Sequence, residues 1–176
     1  MNENTTTNNY EDDLFADLQG YEYKEMLEKA DNIVLGFVAS TGATGAIPVP
    51  FMDAPLIIAQ QVAMMASINA VFKIDVSKDA LKSLAIAVIA VGGATLLGRT
   101  IVANLLKFIP IKGSIAGGAI SAATAGLITL AMGKAYIEIC KLIKMGKLNV
   151  EDLTNKTGTD ALKAAFKEQL HKNKNN

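Results

Sequence analysis

Tryptophan is absent from these 176 residues, cysteine and histidine occur once each, and proline occurs four times. A lone Cys140 excludes an intramolecular disulfide, and a reducing compartment is the simplest expectation. His171 sits in a polar tail and Cys140 has no neighbouring base. With no paired carboxylates or metal-ligand spacing, the sequence points away from an enzyme and predicts neither cofactor nor metal. Charge is scarce as well: between Asn32 and Gly133 only nine formal charges occur in 102 residues. No basic stripe with interleaved aromatics is present, so nucleic acid is not an expected partner. The first residues, MNENTTTNNYEDD, lack the basic and apolar regions of a secretory signal.

What is present is apolar and helical in pattern. Half the residues are hydrophobic, enough for one domain with a sizeable core. The net charge of zero hides a dipolar chain: nine acids and two lysines in residues 1–31, three acids and six bases in 32–133, five acids and nine bases in 134–176. Ala, Leu, Met, Lys and Glu dominate the periodic segments and no long run alternates with period two, so strands are not expected.

Residues 1–20 are rich in Asn, Thr and acids and predict a disordered acidic arm. Within it Leu14, Phe15 and Leu18 share helical spacing and form a candidate docking peptide, although isolated helices so short are marginal. From about Tyr21 to Ala46, Met26, Leu27, Ala30, Ile33, Val34 and Phe37 recur at spacings of three and four and predict a first helix. The phrase IPVPFMDAP, Ile47 to Pro55, ends it. Pro48 and Pro50 remove backbone donors and push the residues before them toward extended conformations. Asp53 then stands at an N-cap position with Pro55 in the first turn of a helix expected over Ala54–Phe72.

Ser77 and Asp79 offer a cap for a helix over 78–98, and a short apolar helix is expected over Thr100–Phe108. A second break at Pro110 and Gly113 follows. The next helix, from about Ser114 to Gly146, turns from uncharged to amphipathic: Tyr136, Ile137, Ile139, Cys140 and Ile143 oppose Lys134, Glu138, Lys141 and Lys144. After a loop, Thr159–Leu170 predicts a last amphipathic helix. The expected fold is therefore all-α, a compact bundle of five or six helices with a central apolar hairpin broken at Ile47–Pro55. Residues 21–146 form the apolar domain, and 147–176 a loop, C-terminal helix and frayed tail.

A membrane span needs about 20 apolar residues. By charge alone the windows Ile33–Met52, Ala54–Phe72 and Gly113–Gly133 qualify. They are rich in Gly, Ala, Ser and Thr, which favours close helix packing over lipid contact. A bundle bound peripherally, or inserting one hairpin, is therefore expected in preference to a multi-span transporter. An acid amid apolar residues suggests ion handling if Asp53 lay in a bilayer, but helix capping accounts for it better. Gln60, Gln61 and Asn69 are polar positions on an apolar helix, suited to bridging helices. Arg99, alone between apolar segments, suits a lipid phosphate or a partner's acid, or simply a helix end. Glycine pairs such as Gly117-Gly118 suit packing, and no phosphate-binding loop sequence exists.

The succession Ile47-Pro48-Val49-Pro50-Phe51, Asp53-Ala54-Pro55, Gln61, Met64, Gly98-Arg99, Phe108-Ile109-Pro110, Gly113 and Thr129–Gly133 resembles the YcjF-type bacterial helical domain of unknown function. That domain is commonly attached to Era-like GTPase domains. The likeness covers about residues 30–145. It implies association with membranes and with GTPase partners; Lys73, Lys78 and Lys82 after the second helix, against an Ile47–Asp53 turn without Lys or Arg, suggest the cytoplasmic side. No GTPase domain accompanies these residues, so a GTPase partner in trans is the expectation, with self-association left open. The reading is thus a non-enzymatic adaptor, and the competing one a membrane-inserting, holin-like or pore-forming hairpin.

Overall fold

A computed structural model describes the backbone of residues 4–44, 53–95 and 116–175, and the surroundings of the side chains of 20–40, 58–89 and 125–172. It is all-α, as expected. The helices are α1 (Asn4–Thr44), α2 (Asp53–Phe72), α3 (Lys78–Thr95), α4 (Ala116–Lys144) and α5 (Lys156–Asn175), with a 3-10 turn at Val150–Thr154. No strand occurs among the described residues. The expected helix over Thr100–Phe108 and the breaks at Pro48, Pro50, Phe51, Pro110 and Gly113 lie outside them.

Two boundaries differ from the sequence expectation. α1 starts at Asn4 rather than near Tyr21, so residues 4–20 of the stretch read as a disordered acidic arm are helical. Extending an existing helix fixes one residue per hydrogen bond gained, whereas starting one costs a whole turn. The part of α1 beyond Tyr21 supplies the nucleus that the isolated peptide lacks. The second difference is in the C-terminal loop, where Val150–Thr154 winds into a 3-10 turn and α5 begins at Lys156. The Asp152 carboxylate accepts from the Asn149 backbone N–H at 3.0 Å and from the Asn155 amide at 3.1 Å. Asn155 in turn caps α5, its Oδ1 accepting from the Thr157 N–H at 2.8 Å. Gly158 is buried against this turn, where a Cβ would meet the backbone of Asp152 and Leu153.

The other ends follow their local chemistry. Ser77 caps α3 by accepting from the Ala80 N–H at 3.2 Å. α4 closes with Gly146 at φ 67° and the Lys147 N–H reaching back to the Leu142 carbonyl at 2.9 Å, the αL ending that glycine favours. α2 closes in the same way, but with Lys73 at φ 52° and the Ile74 N–H on the Asn69 carbonyl at 3.0 Å.

Pairings across the interior set the helix directions. Lys134 bridges to Asp31 at 2.8 Å, Gly133 lies against Val34 and Gly126 against Val38, so α4 runs antiparallel to α1. Gln61 meets Thr129 and Asn69 meets Tyr136, so α4 runs parallel to α2. One core cluster results. Ala30 and Val34 of α1, Met64, Met65, Ile68 and Phe72 of α2, Leu81, Leu84 and Val88 of α3, Met132, Tyr136 and Ile139 of α4, and Leu162 and Phe166 of α5 are all buried in it. Burying such side chains contributes about 1.5–3 kcal/mol each.

Candidate functional site

α2 packs against α1, α3 and α4, and two of its polar positions turn inward. Gln61 is fully buried and Asn69 nearly so. The Gln61 amide nitrogen donates to the Thr129 hydroxyl at 2.9 Å, while the Asn69 carbonyl oxygen accepts from the Tyr136 hydroxyl at 2.8 Å, with the Cys140 thiol 3.8 Å away. These pairs form a polar seam along an otherwise apolar α2–α4 contact. Each amide is paired through one atom, Gln61 Oε1 and Asn69 Nδ2 being buried with no hydrogen-bond partner among the described residues, and the two long-range bonds tie the register of α2 to that of α4. Gln60, one position along, is half-buried.

Burial governs the acid–base behaviour of the seam. The Tyr136 phenol is pushed far above its ordinary range, first by burial and then by the nearby Cys140, against a smaller opposing effect from its bond to Asn69. Burial pushes the Cys140 thiol up to about 12, only partly offset by the Lys144 ammonium. Both groups stay neutral at physiological pH. A thiol so protonated and enclosed is inert as a nucleophile. His171 is exposed on α5, and among the described residues no group of three or more His, Cys, Asp or Glu could hold a metal ion.

The remaining sequence candidates are dispersed. Asp53 is the first residue of α2 and Pro55 lies in its first turn. Leu14, Phe15 and Leu18 fall on the N-terminal part of α1. The surroundings of these five side chains lie outside the described residues, as does Arg99. What the sequence passed over is Gly133. A Cβ there would lie 2.5 and 2.6 Å from the two Val34 methyl groups and 3.1 Å from the Met64 sulfur, a closer approach than at Gly126, where a Cβ would stand 3.7 Å from Val38. The available signal was the spacing of Gly126 and Gly133, seven residues apart and hence on one helix face.

A second feature belongs to the bundle as a whole. The described side chains of 32–40, 58–72, 83–89 and 125–133 include no charge, whereas 22–31, 73–82 and 134–172 carry many. Because α1 opposes α2 and α4, the uncharged stretches of α1 and α4 lie at one end, and their charged parts lie at the other beside the charged α2–α3 turn; the one charge of α2 itself, Asp53, is at its N-terminus. Leu35 and Ile86, 55% and 44% exposed, lie in uncharged segments. Among the described residues no helix is long and apolar enough to cross a membrane. The three windows that qualified by charge alone, Ile33–Met52, Ala54–Phe72 and Gly113–Gly133, each run beyond the residues whose side chains are described.

Fold and seam together define a helical scaffold, polarised along its length and held by inward-facing amides, with no assembled reaction centre among its described residues. The chain belongs to the family of the domain of unknown function DUF697, whose match covers residues 12–175. This agrees with the YcjF-type resemblance. It is also 26% identical over 149 residues to magnetosome membrane protein 22 of Magnetospirillum gryphiswaldense, an alignment covering 82% of this chain and 70% of that protein. No solved structure matches.

Proposed function

We propose that this protein is a non-enzymatic, membrane-associated helical module that serves a GTPase as accessory or partner from the cytoplasmic side. The observation that carries the membrane part is the lengthwise partition of charge among the described side chains. A soluble bundle gains nothing by collecting its uncharged surface at one end, whereas a lipid interface rewards it. The name of the magnetosome relative supports the same reading. The GTPase part rests on the family resemblance alone.

Membrane fractionation followed by a carbonate wash tests the first part. The chain is expected in the membrane pellet and to be released by carbonate. Retention after the wash would favour the inserted, holin-like or pore-forming hairpin, and absence from the pellet would overturn both. For the partner, pull-downs loaded with GDP or a non-hydrolysable GTP analogue should enrich a GTPase; recovery of none in either state refutes that part.

A further inference from the structure

Beside the core, α2 and α3 enclose an open groove of about 830 Å³, within the roughly 300–1,000 Å³ typical of ligand sites. Its two walls differ in chemistry. On α2 the lining is Ile58, Ala59, Val62, Ala63 and Ala66, which is apolar over about 12 Å of helix. On α3 it is Lys78 and Lys82, four residues apart and hence on one face. Both lysines are exposed and neither forms an ion pair among the described residues. Asp79 also lines the groove. It stands in the first turn of α3, where a carboxylate complements the helix dipole, and two ammonium groups outnumber it.

We propose that this groove seats one acyl chain of an anionic phospholipid, with the chain along α2 and the phosphate against Lys78 and Lys82. The assignment rests on the membrane association proposed above and supplies its lipid class. The apolar wall runs from the level of the lysines along α2 toward Ile58, away from the charged α2–α3 turn, so the lysines meet headgroups while the tail follows the surface facing hydrocarbon. Lysine suits that level, because its stem packs on apolar surface while its ammonium reaches the polar layer. Charge sets the headgroup preference and the α2 wall sets the need for a chain. A free anion satisfies only the first requirement and a neutral lipid only the second.

The test uses the full chain and fluorescent lysophosphatidylglycerol kept below its micelle point, followed by polarisation, alongside flotation with phosphatidylglycerol vesicles. Saturable binding of one probe per chain is expected, at least tenfold tighter than for lysophosphatidylcholine and undiminished by millimolar inorganic phosphate. Ala63 is exposed, so Ala63→Phe fills the groove without entering the core and should weaken probe binding tenfold or more. The double change Lys78→Glu and Lys82→Glu should abolish the headgroup preference. Equal affinity for the two headgroups in the unaltered chain, displacement by phosphate alone, or an undiminished Ala63→Phe variant would overturn the proposal. Flotation with vesicles in any of those cases would leave the membrane reading standing, whereas loss of flotation in the unaltered chain refutes that reading itself.

Discussion

Substituting Gly133 by alanine sets two effects against each other at one atom. In a helix interior alanine is favoured over glycine by about 1 kcal/mol. Here the added Cβ would stand 2.5 and 2.6 Å from the methyl groups of Val34, which is fully buried, and 3.1 Å from the Met64 sulfur. Methionine is flexible enough to yield. Valine in a helix has essentially one rotamer, so relief requires α1 and α4 to separate, and overpacking of this kind costs about 1–3 kcal/mol. Gly133→Ala is therefore expected to be net destabilising by up to about 2 kcal/mol. At this chain length each kilocalorie lowers Tm by about 2–4 °C.

The decisive measurement is a double-mutant cycle followed by urea unfolding with circular dichroism. Val34→Ala alone removes two buried methyl groups and should cost about 2–3 kcal/mol. Combined with Gly133→Ala, the new methyl enters the space just vacated and the alanine keeps its helical advantage. The double variant should then be more stable than Val34→Ala alone, with a coupling of about 1–3 kcal/mol. Additivity within about 0.5 kcal/mol would refute the close α1–α4 approach at Gly133, as would a Gly133→Ala variant stabilised by its full helix propensity.

Three further outcomes follow from the same geometry. Asn69→Leu leaves the buried Tyr136 hydroxyl without its acceptor and should cost about 1–3 kcal/mol; adding Tyr136→Phe should recover most of that loss, and a recovery of nothing in urea unfolding contradicts the pairing. Cys140, buried and with its thiol pushed up to about 12, should react with a thiol reagent at pH 8 only as the chain unfolds, so rapid labelling of native protein would place it elsewhere. Asp152 is held below the ordinary carboxylate range by the Asn149 N–H first and the Asn155 amide second. A depressed folded pKa makes its contribution present above the unfolded value and lost as pH falls through the folded one, so Asp152→Asn should flatten the loss of stability below about pH 4. An unchanged acid limb would refute this.

Secondary structure was largely legible because helices announce themselves through local periodicity. Met26 to Phe37, the stripe from Tyr136 to Ile143 and the face of Leu162, Phe166 and Leu170 read inward at spacings of three and four, and these residues are buried or packed against the core. The Ser77 cap was readable for the same reason, its partner being three residues away. The helical state of residues 4–20 was not legible, since propagation from the rest of α1 decides it and composition does not.

The sequence by itself determined an all-α apolar bundle, because periodicity, capping residues and composition act over a few residues at a time. Only the tertiary structure decided which polar and small residues matter. Gln61 and Thr129 are 68 positions apart and Asn69 and Tyr136 are 67, and no local pattern brings such pairs together. Gly133 gains its role from Val34 and Met64 on two other helices. The same holds for the partition of charge and for the groove facing Lys78 and Lys82. Both arise from the directions in which helices pack, which depend on the shapes of facing surfaces rather than on any one segment.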